Sequence, residues 1–243
     1  MEERLQNILA HAGIASRRGA ARLIEEGRVT VDRIVCQEPG ARFDADTVEI
    51  RVDGRNIGIR EEKRTILLYK PVGCLSTMHD PFGGWTVKDI LEKSGIRERL
   101  VPIGRLDKDS EGLLLMSNDG DLALRLTHPR YEHEKTYVVR VAGRWSPEKL
   151  AVLRGSVKMD DGYMTKPARV KVLELKRDNT ATLEFVLKEG RKRQIRQMCS
   201  AAHLVVLSLK RVAIGDLRLP PDMKPGEWRD VEVHYCADEM AGL

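Results

Sequence analysis

Three carboxylates alternate along one short segment of the chain, at Asp107, Asp109 and Glu111. A carboxylate can act as a covalent nucleophile or a general base, and carboxylates at this spacing also fit the first ligand positions of a calcium loop, with Gly112 as its glycine. The closing position is Asn118, which cannot supply a bidentate carboxylate, and the flanking residues predict a strand and a turn rather than two helices. The pattern disfavours calcium and leaves Asp107, before a buried strand, as a candidate reactive carboxylate.

The sequence lacks the motifs of several other common chemistries. It contains no G-x-S-x-G motif, no H-E-x-x-H pair among its six histidines and no glycine-rich phosphate loop. His128 and His133 flank Pro129, and we expect structural roles for both. The four cysteines include no C-x-x-C pair, so we expect reduced thiols rather than disulfides or a zinc ribbon. The sequence therefore predicts neither a metal nor a nucleotide cofactor.

Positive charge is concentrated in one stretch, residues 189–211, which holds six basic residues and one acidic residue. The formal net charge of the whole chain is +5, so this stretch carries a surplus as large as that of the entire chain. Arg191, Lys192, Arg193 and Arg196 lie close together here, and guanidinium groups offer planar, bidentate geometry for phosphate. A solvated cationic face is the alternative interpretation of such a run. The charge pattern is also typical of a nucleic-acid partner.

The composition indicates a folded, intracellular chain. Of 243 residues, 42% are apolar and 33% charged, which suffices for a core and is too apolar for a disordered chain. No apolar run approaches the roughly 18 residues that span a bilayer. The beginning of the chain, Met1 to Arg4, leads into an amphipathic pattern rather than an apolar signal segment. We therefore expect a cytoplasmic protein that does not enter the membrane.

The first 61 residues have the pattern of a small module with two helices and short strands. Apolar residues at helical spacing predict a first helix that ends near Gly13 and a second helix capped by Ser16 and stopped near Gly27. Strand-like alternation follows at 29–31 and again at 47–52. The unit is thus predicted to end in the polar stretch that precedes residue 65.

Arginines cluster on these two helices, with Arg17, Arg18 and Arg22 on the second. Two interpretations remain open: a soluble helix surface with Arg–Glu pairs, or a surface that docks on structured RNA through phosphates and shape. The order RLQNILAHAGIASRRGAARLIEEGRVTVD resembles the S4 RNA-binding domain. Two departures concern local structure: Asp32-Arg33 stands in place of a tight Asn-Gly turn, and Gly19 stands in place of a helix former.

From residue 62 onward the pattern changes to longer strands with fewer helices. Strands are predicted at 66–69, 113–116, 137–141, 168–172, 180–187 and within 228–235, and helices near 87–93, 121–126, 147–154 and 192–203. Few strand–helix–strand units follow one another. We therefore predict an α+β fold on a largely antiparallel sheet, with domains at 1–61 and 62–243.

Four motifs of the larger domain together resemble the RsuA/RluB family of bacterial ribosomal RNA pseudouridine synthases. They are KPVGC at 70–74, GRLDKDSEGLLLMSNDGDLALRLTHP at 104–129, EKTYVV at 134–139 and EGRKRQIRQMC at 189–199. With the S4-like start, the similarity extends to about Arg218. It implies a small S4-like domain joined to a pseudouridine synthase domain, in a monomer that isomerises a uridine of RNA without metal or organic cofactor.

The resemblance also implies roles for individual residues. Asp107 matches the catalytic aspartate, Tyr137 the active-site tyrosine, and Arg196 the arginine that pairs with the aspartate. Arg105 matches the basic residue that helps to displace the target base. Further RNA contacts are expected from Lys70, from Ile195 as an apolar platform beneath the flipped base, and from Arg191, Lys192 and Arg193.

These residue types suit the implied reaction. A carboxylate serves as a nucleophile in glycosidic chemistry, and attack by Asp107 on C1′ of the ribose and on C6 of the base both remain open. The ring of Tyr137 can stack on uracil while its hydroxyl relays a proton. Extrusion of the base costs a few kcal/mol, which contacts elsewhere offset.

Two alternatives stay open at this point. The chain could be a non-catalytic RNA-binding or ribosome-assembly protein, although the presence of Asp107, Tyr137 and Arg196 together favours an enzyme. The reaction could also act on 16S rather than 23S rRNA. The short N-terminal module and the spacing from Tyr69 to Asp107 favour the large-subunit branch, with free rRNA or an assembly intermediate as substrate.

Overall fold

The computed structural model describes residues 2–58 and 62–233. The chain divides into two compact units, one of the residues up to Arg64 with Asn118–Gly120, and the other of Thr65–Ser117 with the residues from Asp121 onward. The domain boundary between residues 61 and 62 stays a prediction. Within the described ranges, no helix has the length and apolar character needed to cross a bilayer.

The first unit packs two helices against short antiparallel strands. The apolar stripe that predicts the first helix is buried at Leu5, Ile8 and Leu9, and the Ser16 hydroxyl caps the second helix by accepting the Gly19 N–H at 3.0 Å. The strands pair in the order β3-β2-β5-β6, while β1 pairs with β4. The elements are β1 (Glu3–Arg4), α1 (Leu5–His11), α2 (Arg17–Glu25), β2 (Val29–Val31), β3 (Ile34–Val35), β4 (Arg42–Phe43), β5 (Ile50–Val52) and β6 (Arg55–Asn56).

The turn between β2 and β3 forms without the glycine usual at this kind of hairpin. Asp32 and Arg33 have φ angles of 47° and 66°, both in the left-handed region that a two-residue hairpin turn requires. The Asp32 carboxylate also accepts the Glu49 N–H at 2.8 Å, which holds the turn against the next strand. Strand β5 is shorter than predicted, because the N–H and hydroxyl of Thr47 both donate to the Asp44 carbonyl in a turn.

The second unit is built on one long, largely antiparallel sheet, as predicted. Its strand order is β11-β12-β10-β13-β9-β7-β15, with β14 on β13 and β8 on β9, and only the β9–β13 pair among these is parallel. The elements are β7 (Thr65–Lys70), α3 (Val87–Lys93), β8 (Val101–Ile103), β9 (Glu111–Ser117), α4 (Gly120–Thr127), a 3₁₀ turn (Pro129–Tyr131), β10 (Lys135–Ala142), α5 (Pro147–Arg154), β11 (Arg169–Leu175), β12 (Thr180–Leu187), α6 (Gln194–Ala201), β13 (Val205–Ile214), β14 (Leu217–Arg218) and β15 (Trp228–Asp230).

Strands β7 and β9 are buried on both faces. Alternate side chains enter one apolar cluster, with Leu68 and Leu114, or another, with Leu67 and Leu115. Burial on both faces explains why these strands are unbroken apolar runs in the sequence rather than alternating ones. The loop that joins β8 to β9 carries Asp107, so this rigid layer supports the candidate site.

Several elements of the second unit differ from the prediction, which also lacks the short strands β8 and β14. Helix α6 starts at Gln194 because Arg193 is left-handed, with φ of 54°, and it ends at Ala201, before His203 with φ of 53°. Strand β13 follows at once, where the sequence predicts none. Strand β15 ends at Asp230 rather than 235, and the predicted fraying of 237–243 lies outside the described residues.

Three of the cysteines lie in the described residues, and all three are free thiols. Burial raises the pKa of Cys74 to about 11 and that of Cys199 to about 12, so both remain protonated at neutral pH. Cys36 is half-buried.

Candidate active site

A cavity of about 330 Å³ brings together the residues that the sequence singles out for chemistry. Its lining comes from the loop before β9, from β10 and from the segment that leads into α6. Asp107, Tyr137 and Arg196 all line it, although they lie far apart in the sequence. The other lining residues are Arg105, Leu106, Ser110, Leu187, Gly190, Arg191, Lys192, Arg193, Gln194, Ile195 and Leu209.

The loop that carries Asp107 is held by hydrogen bonds to five consecutive carbonyls, from Leu106 to Ser110. Four come from distant segments. The Ser76 hydroxyl donates to the Leu106 carbonyl at 2.9 Å, the Gly73 N–H to that of Lys108 at 2.8 Å, the Lys70 ammonium to that of Ser110 at 2.8 Å and the Arg196 guanidinium to that of Asp109 at 2.8 Å. The fifth is local, from the Ser110 N–H to the Asp107 carbonyl at 3.0 Å. The backbone around Asp107 is therefore fixed before any substrate binds.

Lys70, which the sequence predicts to contact RNA, is buried in the structure. Its side chain is 0% exposed, and its ammonium donates to the carbonyls of Pro71 and Ser110, both at 2.8 Å. Burial lowers the pKa of Lys70 to about 8, against the opposing effect of nearby negative charges that include Asp107. The structure therefore gives Lys70 a positioning contact with the loop that carries Asp107, and its contact with RNA stays a prediction.

Arg196 lies in the same cavity as Asp107 without forming an ion pair with it. Its bond goes to the Asp109 carbonyl, and its Nε is buried without a hydrogen-bond partner. No carboxylate oxygen of Asp107 lies within 4.0 Å of that guanidinium in the structure described. The structure thus does not form the expected Asp107–Arg196 ion pair, and Arg196 instead supports the loop that bears the aspartate.

Apolar side chains form part of the cavity wall. Tyr137 lies on β10, opposite Phe185 of β12 and Arg211 of β13, and is 8% exposed. Ile195, at the start of α6, is 4% exposed. With Leu187 and Leu209, these groups give a wall on which a planar base can pack.

The basic residues of the 189–198 segment differ in their surroundings. Arg191 places its guanidinium over the ring of Tyr163, 3.8 Å from the centroid. Arg193 makes an ion pair with Asp109 at 3.3 Å, and Lys192 is exposed beside the cavity. Arg105, from the loop before β9, is also exposed and lines the cavity. The candidate nucleophile therefore shares its cavity with several cations suited to a polyanionic ligand.

Gln194 anchors this basic segment, a role that the sequence does not reveal. Its amide nitrogen donates to the Glu189 carboxylate at 2.6 Å, while its amide oxygen accepts the Arg191 N–H at 3.1 Å. Glu189 in turn accepts the Tyr163 hydroxyl at 2.9 Å. Only the Tyr163–Glu189 contact joins residues far apart in the chain, and no pattern in the sequence indicates the network.

The first unit contributes a separate basic surface on α2. Arg17, Arg18 and Arg22 are all exposed, and none makes an ion pair within the described residues. These three side chains therefore do not form the Arg–Glu pairs of the first interpretation.

No group of three or more histidine, cysteine, aspartate or glutamate side chains is placed to hold a metal ion in residues 2–58 and 62–233.

Comparison with protein families identifies the class of this fold and site. The family model described as RNA pseudouridylate synthase matches residues 64–201, and the S4 domain model matches residues 3–48. The chain therefore belongs to the RNA pseudouridylate synthase family, with an S4 domain before the catalytic domain.

Individual relatives agree with this assignment and extend it over the whole chain. The chain is 41% identical to ribosomal large subunit pseudouridine synthase B of Bacillus subtilis, covering 96% of this chain and 93% of the relative. It is 38% identical to the protein of that name from Vibrio vulnificus, covering 96% and 73%. A pseudouridylate synthase crystal structure superposes with a TM-score of 0.64 at 27% identity, over 94% of this chain and 96% of that one. The protein is a pseudouridine synthase.

Proposed function

We propose that the enzyme isomerises a specific uridine of 23S ribosomal RNA, with Asp107 as the covalent nucleophile. The observation that carries this proposal is the convergence of Asp107, Tyr137 and Arg196 on one cavity of about 330 Å³. The choice of rRNA rests on the S4 domain and on relatives named for the large ribosomal subunit. The enzyme acts as a monomer in the cytoplasm, on free rRNA or on an assembly intermediate.

The reaction exchanges one bond to the ribose for another. The N1–C1′ bond breaks, the uracil turns within the cavity, and a C5–C1′ bond forms; C5 loses a proton and N1 gains one. Composition and oxidation state do not change, so the isomerisation needs no redox partner or organic cofactor. Asp107 can form its transient bond at C1′ or at C6, and either route regenerates the free carboxylate.

The other lining residues have distinct tasks in this scheme. The ring of Tyr137 and the side chain of Ile195 hold the uracil, and the Tyr137 hydroxyl relays the proton between C5 and N1. Arg105 helps to displace the base from its RNA stack. Arg196 holds the Asp109 carbonyl of the Asp107 loop. Arg191, Lys192 and Arg193 bind the backbone of the RNA around the target, and Arg17, Arg18 and Arg22 bind it through the S4 domain.

Replacement of Asp107 by Asn tests the nucleophile. Asp107→Asn should abolish pseudouridine formation in a 23S transcript, measured by carbodiimide labelling, while the affinity for the RNA stays within about twofold. Asp109→Asn, two residues away on the same loop, removes only an exposed ion pair and should keep activity within about fivefold. An active Asp107→Asn enzyme would exclude this assignment.

A parallel assay with unmodified 16S and 23S transcripts tests the substrate. We expect new pseudouridine only in 23S rRNA. Product in 16S alone would reassign the enzyme to the small subunit. Absence of product in both, as free RNA and as assembly intermediates, would mean that the substrate is another RNA.

A further inference from the structure

A second cavity of about 520 Å³ adjoins the one that holds Asp107. The two share Arg105, Tyr137, Gly190 and Arg191 in their linings, so Tyr137 lies at the boundary between them. Strands β10 and β13 contribute Lys135 and Arg211 to the second cavity. The reaction as described above uses none of the groups found only here.

Arg211 is a buried cation with an unused donor. Its side chain is 3% exposed, its Nε donates to the Leu113 carbonyl at 2.8 Å, and one terminal nitrogen is buried without any hydrogen-bond partner. Buried donors are nearly always satisfied, because an unmade hydrogen bond to a charged group is costly. An acceptor placed against this donor would therefore be favourable.

Lys135 lies on the same face of the sheet as Arg211. Arg211 pairs across the strands with Tyr137, and Lys135 precedes Tyr137 by two residues, so all three side chains share one face. The Lys135 ammonium donates to the His133 carbonyl at 3.1 Å. Lys135 and Arg211 both line the second cavity. Burial lowers the pKa of Lys135, and the positive charge of Arg211 lowers it further.

The carboxylates of this cavity do not neutralise these two cations. Glu132 makes its ion pair with Lys166. Glu189 accepts the Tyr163 hydroxyl at 2.9 Å, the Gln194 amide at 2.6 Å and the Lys166 N–H at 3.0 Å. Within the described residues, neither Lys135 nor Arg211 has a carboxylate in ion-pair contact. The cavity is thus an anion site with its own acidic groups already occupied.

We propose that this second cavity binds a backbone phosphate of the substrate RNA next to the target uridine, between Lys135 and Arg211. A charged oxygen there would satisfy the free guanidinium donor and reduce the repulsion between the two cations. Because Tyr137 separates the cavities, a phosphate in the second would fix the position from which the uridine enters the first. The proposal rests on the assignment of the first cavity to the target uridine.

The test measures the salt dependence of RNA binding with the 23S transcript. Lys135→Met should lower the affinity about tenfold and reduce the slope of log K against log salt by about 0.7 to 0.9, the value for one lost phosphate contact. Lys166→Met, a matched change in the same cavity at a lysine already paired with Glu132, should leave the slope unchanged. Thermal unfolding of each variant verifies that the fold is retained.

Arg211→Lys gives a second measurement that keeps the charge. A lysine cannot bond both the Leu113 carbonyl and a phosphate as the guanidinium can, so affinity should fall while the salt slope is retained. An unchanged slope in Lys135→Met, or an equal loss in Lys166→Met, would overturn the proposal. The proposal would also fail if calorimetry shows that the wild type binds inorganic phosphate, and if Lys135→Met abolishes this binding without changing the salt slope of RNA binding. The site would then bind a free anion rather than the RNA backbone.

The outcome separates this inference from the assignment of the nucleophile. If Asp107→Asn remains active while Lys135→Met loses one phosphate contact, the phosphate site stands and the nucleophile assignment fails. If Asp107→Asn is inactive and the Lys135→Met slope equals that of the wild type, the nucleophile assignment stands and the phosphate site fails.

Discussion

Lys70 shows how a buried charged residue can support the loop of a candidate active site. Its ammonium is fully buried and bonds the carbonyl of Ser110, at the end of the loop that carries Asp107. Burial disfavours the charged form, which is why the pKa of Lys70 is lowered to about 8. The folded protein therefore releases this proton at a lower pH than the unfolded chain does.

The stability of the protein should depend on pH through Lys70. Between pH 8 and the unfolded pKa of 10.5, the unfolded chain binds more protons than the folded one, so the contribution of Lys70 to stability rises with pH. The destabilisation caused by Lys70→Met should accordingly grow by about 1 kcal/mol between pH 7 and pH 9. Denaturant unfolding of both proteins at each pH measures it. A destabilisation that is constant across this range would contradict the burial of a charged lysine.

Gly112 determines how closely strands β9 and β13 approach. Its φ is +106°, and a Cβ atom at this position would lie 2.3 Å from the carbonyl oxygen of Arg211 and 2.8 Å from its nitrogen. The same two residues form part of the short parallel pair between these strands. No side chain fits there unless the strands separate, which would move Arg211 and the start of β9.

Gly112→Ala should therefore destabilise the protein by about 3 kcal/mol, through overpacking and backbone strain together. Gly190→Ala is the matched control, since no atom lies within 4 Å of its added Cβ and its φ is not in the left-handed region. It should change stability by less than about 0.5 kcal/mol. Equal unfolding midpoints for the two variants would contradict the close approach of the strands.

The sequence predicts elements well where their signals are local. Helices α3 and α5 begin and end at the predicted residues, and β7, β9 and β12 appear where apolar or alternating runs place them. Strand β13 was not predicted because exposed Val205 and Leu207 and buried Arg211 break its alternation. The start of α6 also differs, since nothing local shows that Arg193 is left-handed.

The candidate site also contains features that the sequence predicts and features that it does not. Motif resemblance predicts that Asp107, Tyr137 and Arg196 act together, and the structure places them in one cavity. It does not predict the burial of Lys70, the free donor of Arg211 or the network around Gln194. The burial of Lys70 and the surroundings of Arg211 depend on contacts between distant segments, which leave no spacing pattern in the chain.

On the scale of the whole molecule, positive charge is distributed over two units with different tasks. In the catalytic unit, basic side chains line both cavities. The first unit exposes Arg17, Arg18 and Arg22 on α2. The first 60 residues are nevertheless neutral overall, with ten basic and ten acidic side chains. The proposed binding of RNA by this unit therefore depends on where the arginines lie rather than on net charge.

Removal of the α2 arginines should weaken RNA binding without affecting the chemical step. The triple change of Arg17, Arg18 and Arg22 to Gln should reduce the salt slope by up to about 2 to 3 and raise KM, while kcat at saturating RNA stays the same. The same change at Arg33, Arg42 and Arg55, which are exposed elsewhere on this unit, removes an equal charge. If both triple variants lose equal affinity, the total charge rather than the helix surface binds RNA.

The loop around Asp107 is held through its backbone, by hydrogen bonds to five successive carbonyls from Leu106 to Ser110. Every amino acid supplies a carbonyl, so these bonds place little demand on which side chains the loop carries. Lys108 and Asp109 are both exposed and can be exchanged while the Asp107 carboxylate keeps its position. Such a loop permits evolutionary drift at its surface: descendants could acquire new RNA targets through these two positions while the reaction they perform stays the same.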